Sequence, residues 1–223
     1  HIMRRRQRQM CIRDRSLTDQ YLADEGFNVF ALDLPGHVNS EGSSLKSIEE
    51  MADWLNKVVK VIGIKDLTIL GHSQGCLVAI EYANKFPDNI KNLIFVAGSY
   101  QIPVNKSLID LANAGDFESI NLMMKWGYGY SKQFLGGNPL QKILNSSREI
   151  REVLAIDLIA CNNYKNGINS IKKIKCPTFF VFGELDKMIK LDKGKEFSGL
   201  IPGSKTHIIK AVSYTHLRAH ETG

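Results

Sequence analysis

Gly71-His72-Ser73-Gln74-Gly75 stands between an apolar run, Leu67-Thr68-Ile69-Leu70, and a helix-forming one, Cys76-Leu77-Val78-Ala79-Ile80-Glu81-Tyr82-Ala83. That order commits the chain to a strand, a tight turn and a helix, and Lys85-Phe86-Pro87-Asp88 ends the helix because proline cannot continue it. A serine at the tip of such a turn exposes its hydroxyl, with a helix N-terminus behind it that favours developing negative charge. Side chains at the two flanking glycines, Gly71 and Gly75, are expected to collide across the turn. Ser73 is the candidate nucleophile.

The rest of the chain alternates in the same way. Strands are predicted at residues 27–32, 92–97, 177–182 and 206–209, in addition to 67–70. Residues 17–25 read as the end of a helix, and Asp33-Leu34-Pro35-Gly36-His37 as a turn. Ser47-Ile48-Glu49-Glu50 resembles a capping box, opening a helix through Met51, Trp54, Leu55, Val58 and Val59 that stops near Gly63. Between about residues 99 and 170 helical patterns replace the alternation, at 108–111, 120–126 and 150–164. The expected class is α/β: a mostly parallel sheet, flanking helices, and a helical lid inserted between strands. An insertion at the carboxyl edge of such a sheet usually covers the site. Met123, Trp126 and Tyr128, with Leu122, Met124, Tyr130 and Phe134, suit either an acyl pocket wall or the packing of the lid itself.

The two ends read differently. Residues 5–14 are the translation of CGT CGG CAG CGT CAG ATG TGT ATA AGA GAC, and residues 212–221 read back as GTC TCT TAT ACA CAT CTC CGA GCC CAC GAG; both resemble sequencing adapter. Residues 1–15 and 211–223 are therefore set aside as adapter-like tails. The expected domain is 16–210, cut at both ends. Of 29 basic residues six lie in 1–15 and one in 211–223, against one acid in each tail, so the formal charge of +6 falls to +1 for the domain. The nucleic-acid and membrane-surface readings of a basic chain disappear with the tails. No window is apolar and long enough to span a bilayer. Cys76, Cys161 and Cys176 are odd in number and lack CxxC spacing, which argues against a disulfide framework or zinc site and for a reducing, cytoplasmic compartment.

Three motifs carry a family resemblance. Asp33-Leu34-Pro35-Gly36-His37 with Ser40 and Gly42 resembles a turn after a fourth strand, residues 71–75 a nucleophile elbow, and Gly183-Glu184-Leu185-Asp186 the turn that delivers a triad acid. Together they resemble the α/β-hydrolase family over essentially all of 16–210. The resemblance implies Ser73 as nucleophile, Asp186 as acid with Glu184 as its rival, and the Gln74 backbone N–H as one oxyanion donor. His37 becomes a turn or pocket-wall residue, and His72 part of the elbow, pointing away from the chemistry. Val38 and Cys76 stand where family members often have glycine, so altered helix-to-strand packing is expected.

A serine hydroxyl needs a base, and the base needs a carboxylate to orient it. Within 16–210 the histidines are His37, His72 and His207, and His207 falls inside the last strand. The family's histidine is implied in a loop beginning near Ala211, where adapter-like sequence takes over; His216 and His220 belong to that tail. The second oxyanion donor is implied in a loop after a third strand, and nothing before Tyr21 resembles it. The implied parent is a serine hydrolase of a small or medium, partly apolar carboxylic ester, with a small-molecule substrate, no metal and no organic cofactor. A chain lacking the histidine is expected to be inactive. A cofactor-free haloperoxidase, a carbon–carbon hydrolase, and a non-catalytic ligand-binding protein on the same scaffold are the alternatives. Because the family's third strand lies between its fourth strand and the nucleophile strand, residues 27–32 are expected to stand apart from 67–70, or to pair with them in another register. The exposed edges then favour aggregation.

Overall fold

Runs of β-branched, aromatic and aliphatic residues form four strands: β1 (Leu67–His72), β2 (Ile90–Val96), β3 (Thr178–Gly183) and β4 (Lys205–Ile209). The computed structural model describes residues 21–37, 40–128 and 148–210. Every neighbouring pair is parallel and the spatial order is β1-β2-β3-β4, with Leu70 opposite Ile94, Ile94 opposite Phe179, and Val181 opposite His207. Parallel neighbours require crossovers, which helices supply. The chain is thus an α/β fold with a parallel sheet and flanking helices.

Helix α1 (Ile48–Ile62) begins where Ser47 Oγ accepts from the Glu50 N–H at 3.1 Å and ends at Gly63, whose N–H donates to the Val59 carbonyl at 3.0 Å. The Glu50 carboxylate accepts from Lys46 N–H at 2.7 Å, one residue earlier than a capping box requires. Helix α2 (Gln74–Lys85) follows β1 directly, and Pro87 opens a short 3₁₀ turn beyond it. Alternate residues of the strands supply one core: Leu93 and Phe95 from β2, Phe180 and Phe182 from β3, with Cys76 and Ile80 from α2. Phe197, on α7 (Leu191–Gly199), is fully buried there, its ring centroid 4.8 Å from Phe180 and 5.1 Å from Phe95. Each such ring contributes about 1.5–3 kcal/mol by leaving water.

Between β2 and β3 lies a helical insertion: α3 (Lys106–Asn113), α4 (Phe117–Tyr128), α5 (Arg148–Asn163) and α6 (Gly167–Ile171). Helix α5 has two apolar faces. Leu154, Ala155 and Leu158 pack with Leu108 and Ala112 of α3 and with Leu122, Met123 and Trp126 of α4. Ala160 and Cys161, with Tyr164 just past the helix end, pack instead on Ile48 and Met51 of α1 and Leu77 and Val78 of α2. Glu81 of α2, buried, accepts from Tyr164 Oη at 2.8 Å and Ser170 Oγ at 3.2 Å, which ties the end of the insertion to the helix after Ser73.

Residues 27–32 correct the sequence reading. Among the described residues they form no strand and join none of the four, and Phe27 and Phe30 are exposed. Among the described residues β1 is the sheet's edge, and strand formation depends on sheet context beyond the local pattern. Residues 21–24 are helical, as expected for the described part of 17–25. Helices α6 and α7 carry too few apolar positions to announce themselves by period.

Candidate active site

Ser73 links β1 to α2 with φ 51° and ψ −116°, a conformation that side-chain-bearing residues rarely adopt. Two hydrogen bonds hold it there. Its N–H donates to the Val96 carbonyl at 3.2 Å, extending the β1–β2 ladder by one step, and its carbonyl accepts from Cys76 N–H at 2.9 Å. A Cβ on Gly71 would stand 2.6 Å from the Gly75 carbonyl carbon and 2.8 Å from Cys76 N, so glycine is obligatory at that position. Gly75 differs from expectation: a Cβ there meets nothing within 4 Å, because its side chain would leave α2 outward while its carbonyl forms the wall against Gly71.

Gln74 is the first residue of α2, so its N–H has no acceptor four residues back within the helix and lies at the positive end of the helix dipole. Cys76 occupies the space where Gly98 approaches: a Cβ on Gly98 would lie 2.7 Å from Cys76 Cβ. The Cys76 thiol faces the Gly71 carbonyl at 3.1 Å and the Val96 carbonyl at 3.6 Å. Full burial pushes it up to about 12, so it stays a neutral packing group.

Asp186 follows β3, and its side chain is buried. Its Oδ1 accepts from the N–H groups of Met188 at 2.8 Å and Ile189 at 3.0 Å. Its Oδ2 is buried and accepts from no described residue. Glu184 is exposed by contrast, and its N–H donates to the Ile209 carbonyl at 2.9 Å. The chain that leaves β4 therefore starts beside the Asp186 turn. Ser73 and Asp186 emerge at the same carboxyl edge, separated by β2, roughly 10 Å at ordinary strand spacing.

His72 ends β1 opposite Val96, and His207 lies within β4 opposite Val181, as the sequence placed it. His37 reaches the insertion: Nε2 is 2.9 Å from Asp157 Oδ2 on α5, and Nδ1 is 3.1 Å from the Pro35 carbonyl. The hydrogen bond to Asp157 raises the His37 pKa above its ordinary value, against the opposing effect of burial. Gln74 Nε2 donates to the Asp157 carbonyl at 3.4 Å. Asp157 was not singled out from sequence, where it is one charge on a helical pattern. Met123 and Trp126 are partly buried in the packing among α3, α4 and α5. The Met124 and Tyr128 side chains, Val38, Tyr130, Phe134, His216, His220 and residues 1–15 and 211–223 lie outside the described residues. Among the described residues no cluster of His, Cys, Asp and Glu has the makings of a metal site.

The family model of the alpha/beta hydrolase fold matches residues 13–212, a span that includes the strand, the strained Ser73 and the helix after it. This chain belongs to the alpha/beta hydrolase fold family. Among its relatives is the 2-hydroxy-6-oxononadienedioate/2-hydroxy-6-oxononatrienedioate hydrolase 2 of Pseudomonas putida, 24% identical over 198 residues that cover 82% of this chain and 69% of that protein. Lipase 3 of a Moraxella species is 24% identical over 204 residues, 85% of this chain and 64% of the lipase. The solved esterase of Exiguobacterium antarcticum superposes with a TM-score of 0.78 at 16% identity, over 92% of this chain and 81% of its own. These relatives share the fold while differing in named activity, because activity resides in the site and not in the fold.

Proposed function

We propose that Ser73 and Asp186 belong to a Ser-His-Asp hydrolase acting on small or medium, partly apolar carboxylic esters. The observation that carries the reading is Ser73 itself, held at φ 51° where β1 turns into α2. That geometry stores backbone strain, which a fold retains where it presents a group. Asp186 supports it: one carboxylate oxygen is fixed by two amides, and the other is buried and accepts from no described residue. An imidazole N–H meeting that oxygen would be held in orientation and its charge stabilised. The histidine is assigned to the segment after β4, which departs beside the Asp186 turn.

In the reaction, Ser73 Oγ attacks the ester carbonyl carbon as the histidine takes its proton. The Gln74 N–H donates to the oxyanion. Collapse of the tetrahedral intermediate breaks the carbon–oxygen bond, and the alcohol leaves with the proton from the histidine. Water, deprotonated by the same histidine, then releases the acid and restores Ser73. His37 is not the base in this reading, because both its ring nitrogens face acceptor oxygens. Fluorophosphonate treatment of a protein in which residues 16–210 are followed by the family's histidine loop is expected to give a single adduct on Ser73, absent in Ser73→Ala. Ligand binding without any adduct would point to a receptor on this scaffold.

A carbon–carbon hydrolase of a carboxylate-bearing substrate is the second reading. It draws on the likeness to the Pseudomonas putida protein, named for a dienedioate, and on a cavity of about 230 Å³ beside the Asp186 turn, lined by Ser99, Tyr100, Gln101 and the lysines 187, 190 and 193. Cleavage of a dienedioate at a carbon–carbon bond, with no turnover of p-nitrophenyl esters, would favour it.

A further inference from the structure

The helical insertion meets the core beside Ser73 through a polar contact at His37 and Asp157. The Pro35 carbonyl can only accept, so His37 Nδ1, 3.1 Å away, carries a proton; the Asp157 carboxylate, 2.9 Å from Nε2, is met by a second. The pair is a charge-assisted hydrogen bond with both side chains about four-fifths shielded, at 22% and 20% exposure. Asp157 also offers its main-chain carbonyl to Gln74 Nε2 at 3.4 Å. The insertion therefore contacts the residue that follows Ser73.

Helix α5 is built to transmit what happens there. Its Leu154, Ala155 and Leu158 hold α3 and α4 as one packed body that includes Met123 and Trp126. On its other face Ala160 and Cys161, with Tyr164 just past its end, anchor it to α1 and α2. At 1.5 Å per residue, Asp157 lies about 9 Å along the helix from its end at Asn163, far enough to set the tilt of the whole body. We propose that the His37–Asp157 pair is a positioning clasp that holds the helical insertion over Ser73 and so sets the size of acyl group the site accepts. The inference about size rests on Ser73 being the nucleophile; the clasp itself does not.

Hydrogen–deuterium exchange on the 223-residue chain tests the clasp, with Asp157→Asn and His37→Gln chosen because they preserve shape. Amides of α3, α4 and residues 153–157 are expected to exchange about fivefold faster in each single variant and no faster in the double, while β1, β2 and β3 keep their rates. Unchanged exchange in the insertion, or additive effects in the double variant, would overturn it. The size claim is tested in a protein carrying the family's histidine loop. Asp157→Asn should raise KM for p-nitrophenyl octanoate about tenfold while leaving kcat and the acetate ester unchanged, and Asp157→Glu, which keeps the charge, should recover most of the loss. Equal losses on both esters, or losses confined to kcat, would overturn the claim. If Ser73→Ala leaves turnover intact, the nucleophile reading fails, and the exchange result still judges the clasp.

Discussion

Ser73 sits where it does because its neighbours leave no other path. Its φ of 51° is disfavoured for a residue with a Cβ, and the cost is met by the Val96 and Cys76 hydrogen bonds on either side. Gly71 and Gly75 look equivalent in sequence and are physically opposite. Gly71→Ala drives a methyl group into the Gly75 carbonyl and should cost more than about 2 kcal/mol, because backbone, not a side chain, must give way. Gly75→Ala places the methyl in open space at the start of α2 and should be neutral or stabilise by up to about 1 kcal/mol. Urea unfolding of the two variants checks the contrast; similar losses in both would mean that the turn is packed differently. The Gly71 requirement was legible from the strand-turn-helix context. The freedom at Gly75 was not, since it depends on which way a helix Cβ leaves.

At the scale of elements, the contact between α5 and the turn at His37 has a pH signature. Asp157 raises the His37 pKa, so the pair stabilises the folded chain fully below the ordinary value of 6.5 and loses that contribution as pH climbs through the raised folded value. Cys161, the other titratable group against Asp157, is pushed up by burial to about 12 and stays neutral throughout. The difference in unfolding free energy between the wild-type chain and Asp157→Asn should therefore be larger near about pH 6 than near about pH 9. A difference that grows with pH would contradict the assignment. Asp157 illustrates what sequence could not reveal: it lies 120 residues from His37, and only the packing of α5 on α1 and α2 brings them together. The capping at Ser47, the stop at Pro87 and the helical periods of α3 to α5 rest on local rules and were readable. Residues 27–32 have the composition of a strand, but a ladder partner is a property of the sheet.

The whole molecule is an alpha/beta hydrolase fold in which a short parallel sheet aims two separated turns, one with Ser73 and one with Asp186, at a common edge. Strand alternation predicted this architecture because parallel strands need helical crossovers and the chain supplies them in order. The basic excess of the chain sits almost wholly in residues 1–15, which hold six arginines and one aspartate. In the proposed mechanism, catalysis depends on a third group, a histidine in the segment after β4. Initial rates of p-nitrophenyl butyrate hydrolysis test that most directly, compared between the 223-residue chain, a protein in which residues 16–210 continue into the family's histidine loop, and the Ser73→Ala variant of each. The account predicts turnover in the second protein that Ser73→Ala lowers by about 10⁴–10⁶, and near-background hydrolysis by the 223-residue chain that the substitution does not change. Enzyme-like hydrolysis by the 223-residue chain that Ser73→Ala abolishes would contradict it, because another base within that chain would then serve Ser73.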